Sequence, residues 1–159
     1  MLNDFYLSLE SITSEQDVCL QDCIKHLTFN HLGLIPVIAQ CQESKEVLMH
    51  AWMNLAALKK TLATGQMTYW SRSRNAFWIK GETSGNTQQL INMRFDCDGD
   101  TILCLVKQIG AACHTGRPNC FYLNIDNTTN TVKLHRPTSS KLHSIIKLNR
   151  SGETQTMKI

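Results

Sequence analysis

The segment Asp96-Cys97-Asp98-Gly99-Asp100 places three carboxylates at alternating positions around one cysteine. In a β-strand, successive side chains point to opposite faces of the sheet. The sequence therefore predicts that Asp96, Asp98 and Asp100 share one face and that Cys97 lies on the other. Carboxylate oxygens suit hard cations such as Mg²⁺, whereas thiolates suit softer cations such as Zn²⁺. This short segment is thus a candidate for contributing to two metal sites.

The cysteines downstream include Cys113, in the run Cys113-His114-Thr115-Gly116, and Cys120. Spacing alone leaves two interpretations open. The cysteines are either zinc ligands or small buried side chains, and the Asp- and Gly-rich segment is either a metal site or a solvated turn. A calcium loop of the EF-hand type is excluded. Counted from Asp96, the sixth and twelfth positions hold Thr101 and Lys107 instead of the required Gly and Glu.

Composition narrows the class of protein. A chain of 159 residues, of which 42% are hydrophobic and 18% charged, is most simply one domain with one core. The net charge of +3 permits an anionic small-molecule substrate but does not indicate nucleic-acid binding, which usually needs clustered Lys and Arg. No apolar run has the length of a membrane span, and the N-terminus lacks the pattern of a signal peptide. We therefore expect a cytoplasmic protein, whose seven cysteines are metal ligands or buried thiols.

Short apolar and β-branched runs separated by Gly, Asn and polar turns predict a mainly β (α+β) fold. We expect short, mostly antiparallel strands in a pseudo-barrel or sandwich with one clear internal helix. That helix spans residues 55–63, with Asn54 as its N-cap, Gly65 as its C-terminal cap and Leu55, Leu58 and Leu62 on its buried face. The predicted strands are 34–40, 46–50, 67–71, 77–80, 90–95, 101–109, 121–125 and 132–135.

The two ends of the chain are less strongly patterned. Ser14 is a candidate N-cap for an N-terminal helix whose apolar side chains are Val18, Ile24 and Leu27. Cys19, Cys23 and His26 would share one face of that helix, but no fourth ligand supports a metal site, so packing is the preferred interpretation. From Pro137 onward the sequence is polar, and we expect a mobile or loosely docked tail.

Four separate motifs carry a family resemblance. They are Trp70-Ser71-Arg72-Ser73-Arg74, Lys80-Gly81-Glu82-Thr83-Ser84-Gly85-Asn86, the Asp96–Asp100 segment and Ala112-Cys113-His114-Thr115-Gly116. Together they resemble phosphoribosyl-AMP cyclohydrolase of histidine biosynthesis. The resemblance implies an N-terminal extension over residues 1–30, a cyclohydrolase domain over 31–123 and a C-terminal extension over 124–159. The last part is too short for the pyrophosphohydrolase domain of some relatives, so we expect a monofunctional chain.

The resemblance also implies a reaction and its cofactors. The reaction is hydrolytic opening of the adenine ring of 1-(5-phosphoribosyl)-AMP between N1 and C6, which gives the phosphoribosylformimino-AICAR nucleotide (ProFAR). Zn²⁺ would be held by Cys97, Cys113 and Cys120, and Mg²⁺ by Asp96, Asp98 and Asp100. The family is a homodimer with a shared zinc site, to which one chain gives Cys97 and the other gives the remaining two cysteines. His114, beside a zinc ligand, is the candidate acid/base residue.

Basic and polar residues of the second motif, with Arg72 and Arg74, are candidates for binding the substrate's phosphates. They are Arg72, Arg74, Lys80, Gly81, Thr83, Ser84 and Gly85. The alternative is a polar turn with solvated charges. His50, His135 and His143 have no motif support and are expected to be surface or core residues.

Two alternative functions remain open from the sequence. The first is a non-catalytic, zinc-stabilised module that binds a nucleotide or a protein. A fourth protein ligand would favour it, and Cys104, which departs from the aliphatic residue expected in the family, is the candidate, although it also fits a buried strand position. The second is a zinc nucleoside deaminase, which is disfavoured because the chain lacks the His-x-Glu and Cys-x-x-Cys signature of that group.

Overall fold

Eight strands and three helices make up the part of the chain that the computed structural model describes, residues 3–134. The helices are α1 (Asp4–Leu9), α2 (Leu20–Lys25) and α3 (Leu55–Thr64). The strands are β1 (Ile35–Cys41), β2 (Val47–Met53), β3 (Thr68–Ser71), β4 (Ala76–Ile79), β5 (Gln88–Phe95), β6 (Ile102–Gln108), β7 (Leu123–Asp126) and β8 (Thr131–Leu134). Every strand predicted from the sequence is found, with ends that differ by a few residues.

The central sheet has the strand order β2-β1-β6-β5. The pairs β1–β2 and β5–β6 are antiparallel, whereas β1 and β6 run parallel, with Val37 opposite Ile102. The hairpins β3–β4 and β7–β8 form two separate two-stranded sheets. The mainly β fold and the mostly antiparallel pairing are therefore confirmed. Within residues 3–134 no closed barrel forms, because β2 and β5 are the end strands of the central sheet and do not pair with each other.

Alternation along β1 builds the core. Ile35, Val37 and Ala39 are completely buried, while the residues between them are partly exposed. From β6, Ile102, Cys104 and Val106 are equally buried and join the same cluster. The parallel β1–β6 pair therefore has its inward faces in one hydrophobic core.

Helix α3 begins and ends as predicted, but its buried face is rotated. The Asn54 side chain accepts a hydrogen bond from the Ala57 amide at 2.8 Å, and Gly65 ends the helix with a φ of 69°. Leu58 is buried and Leu62 is partly buried against the core, as predicted, whereas Leu55 is exposed. Ala57 and Thr61 are the other buried residues of the helix. The physical reason is Thr61, whose hydroxyl accepts from the Thr68 amide and donates to the Thr68 carbonyl of β3.

The prediction of a helix beginning at Ser14 is wrong. Helix α2 begins at Leu20 after Cys19, and it has no side-chain N-cap hydrogen bond. The earlier helix α1 was not predicted, although the Asn3 side chain caps it by accepting from the Tyr6 amide. Ile24 and Leu27 are buried as expected, but Val18 is exposed.

Several predictions concern residues outside the described range. The tail from Pro137, the last residue of the strand predicted to end at His135, and His143 all lie there. Among the described residues, no helix has the length and apolar character needed to cross a membrane.

A chain of polar side chains connects β3 with the paired strands β5 and β6. The Tyr69 hydroxyl donates to Gln88 Oε1 at 2.7 Å, and Gln88 Nε2 donates to Gln108 Oε1 at 2.8 Å. Tyr69 and Gln88 are both completely buried. Because buried polar atoms are costly without partners, this connection fixes the position of β3 relative to the central sheet.

Replacing Tyr69 with Phe should lower the free energy of unfolding by about 1–3 kcal/mol, because Gln88 Oε1 loses its donor inside the core. Urea denaturation monitored by tryptophan fluorescence measures this change. Tyr122→Phe, at a partly exposed ring, is the matched control and should change the stability much less. Equal stabilities of the Tyr69→Phe variant and the unmodified protein would contradict this role.

Candidate active site

Residues 96–100 form a turn between β5 and β6, which we name the carboxylate turn. The segment lies between the strands predicted at 90–95 and 101–109, and the strand-like alternation of its side chains is not found. One oxygen of Asp96 accepts hydrogen bonds from the amides of Asp100 at 2.9 Å and Thr101 at 3.0 Å. These hydrogen bonds reverse the direction of the chain, as Asp side chains commonly do in turns.

The turn brings the three carboxylates together even without strand alternation. Ligand oxygens of Asp96, Asp98 and Asp100 all lie within 4.8 Å of one another. Within residues 3–134, no other set of three His, Cys, Asp or Glu side chains brings its ligand atoms so close. Three carboxylates at this spacing fit a divalent cation that fills its remaining positions with water or phosphate oxygens.

The raised pKa of Asp100 also indicates that the carboxylate turn suits a cation. The Thr101 hydroxyl donates to Asp100 and lowers the pKa of that carboxyl. This effect is outweighed by the hydrogen bond to Asp96, by burial and by the charges of Asp96 and Asp98, so the pKa of Asp100 is raised. Carboxylates that repel one another in this way are stabilised by a cation among them.

Cys113 and Cys120 form a second group, near β2 and thus toward the opposite edge of the central sheet from β5. The Cys113 amide donates to the Arg117 carbonyl at 3.2 Å, which closes a tight loop, and the Cys120 amide donates to the Leu48 carbonyl of β2 at 2.7 Å. The Cys120 thiol hydrogen-bonds the Cys113 sulfur, as does the Thr115 hydroxyl at 3.0 Å. Two sulfurs are thereby held side by side.

The two thiols of this pair have opposite acidities. Burial raises the pKa of Cys113, but the hydrogen bonds from Thr115 and Cys120 and the charge of Arg117 outweigh it and lower the pKa below the ordinary value. Burial and the charge of Cys113 raise the pKa of Cys120 to about 11. Cys113 is the thiol that is held closer to its thiolate form, which is the form that binds metals.

The remaining cysteines of interest lie elsewhere. Cys97 is an exposed residue of the carboxylate turn, and it lines a cavity with Tyr6 and Phe95 instead of joining Cys113 and Cys120. Cys104 is completely buried opposite Ala39 of β1, and burial raises its pKa to about 12. Its surroundings are those of a core thiol.

A cavity of about 350 Å³ contains most of the site residues predicted from the sequence, and we name it the thiol cavity. Its lining includes Arg74, Lys80, Gly81, Thr83, Ser84, Cys113, His114 and Cys120. Gly85 belongs to the same loop but does not line the cavity, and Arg72 lines a neighbouring one. The four motifs are therefore divided between the thiol cavity, its neighbour and the carboxylate turn.

Lys80 is the buried cation of the thiol cavity. Only 5% of the residue is exposed, and its ammonium donates to the Asn86 carbonyl at 3.0 Å. Burial lowers the pKa of Lys80, and the charges of Cys120 and Cys113 oppose that shift. His114 is exposed at the rim, with its Nδ1 4.0 Å from the Cys113 sulfur.

An aromatic cavity of about 550 Å³, which no motif of the sequence predicted, lies beside the thiol cavity. All three tryptophans of the chain line it, together with Arg72 and His50. The Arg72 guanidinium lies over the Trp52 ring at 5.1 Å, and burial together with the charge of Arg72 lowers the pKa of His50. Trp78 lines both cavities. Only Trp70 stood in a motif, so the available signal was the restriction of tryptophan to β2, β3 and β4.

Comparison with known proteins identifies the family. The sequence profile described as phosphoribosyl-AMP cyclohydrolase matches residues 49–122. A phosphoribosyl-AMP cyclohydrolase of Roseobacter denitrificans is 58% identical over 101 residues, which cover 64% of this chain and 79% of the relative. The chain belongs to the phosphoribosyl-AMP cyclohydrolase family. This confirms the resemblance and places the chain among hydrolases.

Other members of the phosphoribosyl-AMP cyclohydrolase family are similarly close. The enzyme of that name from Hydrogenovibrio crunogenus is 61% identical over 101 residues, covering 64% of this chain and 69% of the relative. Phosphoribosyl-AMP cyclohydrolase 2 of Pseudomonas fluorescens is 56% identical over 116 residues, covering 73% of this chain and 79% of the relative. The profile match includes the carboxylate turn and the thiol cavity, whereas α1, α2 and the β7–β8 hairpin lie outside it.

Gly81 and Gly85 provide a matched test of the loop that lines the thiol cavity. Both have positive φ, 84° and 72°, but a Cβ on Gly81 would stand 2.6 Å from the Asn86 and Thr87 backbone, while one on Gly85 would meet nothing within 4 Å. Gly85→Ala should cost about 1 kcal/mol of stability from the left-handed backbone alone. Gly81→Ala should cost about 1–3 kcal/mol more, because the loop is pushed outward. Urea denaturation measures both, and equal losses would contradict the close approach.

Proposed function

We propose that this chain opens the adenine ring of 1-(5-phosphoribosyl)-AMP by hydrolysis between N1 and C6, giving ProFAR, as a cytoplasmic step of histidine biosynthesis. The observation that carries the proposal is the thiol cavity. It combines a pair of metal-binding sulfurs with Lys80, Arg74 and the hydroxyls of Thr83 and Ser84. Soft ligands beside anion-binding groups suit a metal-dependent hydrolase that acts on a phosphorylated nucleotide. We assign this chemistry to residues 31–123.

Zinc fits the sulfur pair by the chemistry of its donors. Zn²⁺ held by three thiolates keeps a fourth position for water and lowers the pKa of that water to about 7. Cys113 and Cys120 supply two of the ligands from one chain. The third proposed ligand is Cys97. Within one chain it lies in the carboxylate turn, apart from Cys113 and Cys120, so the third sulfur must come from another copy of the chain.

The strand order explains this separation. Cys120 is bonded to β2 at one edge of the central sheet, and Cys97 lies between β5 and β6 at the other. Two to three strand spacings amount to roughly 10–14 Å. Sulfurs on one tetrahedral zinc lie only about 4 Å apart. We therefore infer that a second copy of the chain supplies Cys97, and that a two-fold homodimer forms two equivalent zinc sites.

Magnesium is assigned to Asp96, Asp98 and Asp100 of the carboxylate turn. In the homodimer, Cys97 brings the carboxylate turn of one protomer to the thiol cavity of the other. The Mg²⁺ site is then next to the groups that bind phosphate, where a cation held by carboxylates is completed by phosphate oxygens. The two metals are thus held by different side chains of a single composite site.

The substrate carries two phosphoribosyl arms, and two basic cavities stand side by side. In the thiol cavity, Arg74 and Lys80 bind one phosphate, supported by Thr83, Ser84 and the backbone of Gly81, while Gly85 gives the loop its shape. Arg72 binds the second phosphate in the neighbouring aromatic cavity. The tryptophan shared by both, Trp78, then lies beside the ring that connects the two arms.

His114 moves the proton of the reaction. Hydrolysis adds the water oxygen to C6 and breaks the N1–C6 bond. One proton of the water goes to N1 and the other to the exocyclic nitrogen, so that C6 becomes the carbon of a carboxamide. His114 takes a proton from the water and returns it to N1 as the bond breaks. An imidazole can do both because one ring nitrogen accepts a proton while the other carries one.

Subunit complementation tests the proposal. Cys97→Ser and Cys113→Ser should each be inactive as homodimers. In a one-to-one mixture, half of the dimers are hybrids with one intact site of two, so about a quarter of the activity should return. Ultraviolet absorbance of the opening ring measures it, and Cys104→Ala, at a core thiol, is the control that should remain active alone. Proof of subunit exchange by mass spectrometry without any return of activity would contradict the shared site.

A further inference from the structure

The N-terminal segment, residues 3–28, contacts the carboxylate turn directly. Tyr6 of α1 is 5% exposed, and its ring occupies the space beside Gly99. A Cβ added to Gly99 would stand 2.7 Å from two ring carbons of Tyr6, Cδ2 and Cζ. Gly99 has a φ of 69°, so this position favours glycine both for its backbone and for the ring packed on it.

A backbone hydrogen bond makes a second connection at the same residue. The Thr28 amide donates to the Gly99 carbonyl at 2.8 Å. The segment that carries these contacts is itself braced, because the Tyr6 hydroxyl donates to the Cys23 carbonyl at 3.0 Å and Asn3 Nδ2 donates to Thr28 Oγ1 at 3.1 Å. One glycine of the turn is thus held by its α-carbon face and by its carbonyl.

Gly99 lies between two of the three carboxylate residues. A movement of its backbone therefore moves Asp98 and Asp100, and with Asp100 an amide that donates to the Asp96 carboxylate. Three carboxylates within 4.8 Å repel one another, and a glycine gives the chain freedom to spread them apart. An external restraint on Gly99 opposes that spreading and reduces the ordering that cation binding requires.

We propose that the N-terminal segment is a clamp on the carboxylate turn, in which Tyr6 packed on Gly99 is a positioning residue for the divalent cation. The clamp lies outside residues 49–122, which match the family profile. It acts on Asp98 and Asp100 through Gly99 and does not itself touch the cation or the substrate. The inference rests on the proposed cation site of the carboxylate turn.

The test is a titration of the full-length protein with Mn²⁺, whose free form is measured by electron paramagnetic resonance. Mn²⁺ prefers carboxylate ligands and is a suitable spectroscopic substitute for Mg²⁺. Tyr6→Ala should weaken Mn²⁺ binding about tenfold, as expected when a group that orients metal ligands is lost. Tyr6→Phe keeps the ring on Gly99 and should bind like the unmodified protein. Leu7→Ala, at an exposed position of the same helix, is the matched control and should also bind normally.

Asp98→Asn separates failure of the inference from failure of the site. If this variant binds Mn²⁺ normally, the carboxylate turn is not the cation site, and the proposed site and the clamp both fail. If Asp98→Asn abolishes binding while Tyr6→Ala binds normally, the clamp is overturned and the proposed function stands. Should Tyr6→Ala not fold, as judged by circular dichroism, Tyr6→Leu replaces it. Normal Mn²⁺ affinity in folded Tyr6→Leu would likewise overturn the clamp.

Discussion

The pairing of β1 with β6 determines where the chemistry of this chain is located. Because β6 inserts beside β1, the sheet takes the order β2-β1-β6-β5, and the β5–β6 connection is separated from the β2 edge. The carboxylate turn with Cys97 belongs to that connection, whereas Cys120 is bonded to β2. The two halves of the proposed site therefore lie toward opposite edges of one sheet. In the proposed dimer, one chain of this topology would contribute a different half to each of the two sites.

Each of the two groups of proposed ligands contains charges that repel one another or are buried. In the carboxylate turn, the charges of Asp96 and Asp98 help to raise the pKa of Asp100, which a cation would reverse. In the thiol cavity, Lys80 is buried beside two sulfurs, and their charges partly offset the effect of burial on its pKa. In the proposed composite site, a cation at the carboxylate turn and a phosphate beside Lys80 would supply the opposite charges.

Local patterns predicted most of the secondary structure. The alternation of Ile35, Val37 and Ala39 and the caps at Asn54 and Gly65 are short-range signals that the fold obeys. The alternation expected for the side chains of residues 96–100 is not found, because Asp96 satisfies two backbone amides and closes a turn. The grouping of Lys80 with Cys113 and Cys120 followed from the family motifs. The contact of Tyr6 with Gly99 and the strand order join residues far apart in the chain, and no local pattern encodes them.

Native mass spectrometry of the protein isolated with its metals tests whether two chains complete each zinc site. A shared site predicts dimers carrying two zinc ions, monomers carrying none, and zinc-free protein after Cys97→Ser although Cys113 and Cys120 are intact. A monomer that retains zinc, or a Cys97→Ser protein with full zinc content, would show that one chain is sufficient and that the site is not shared.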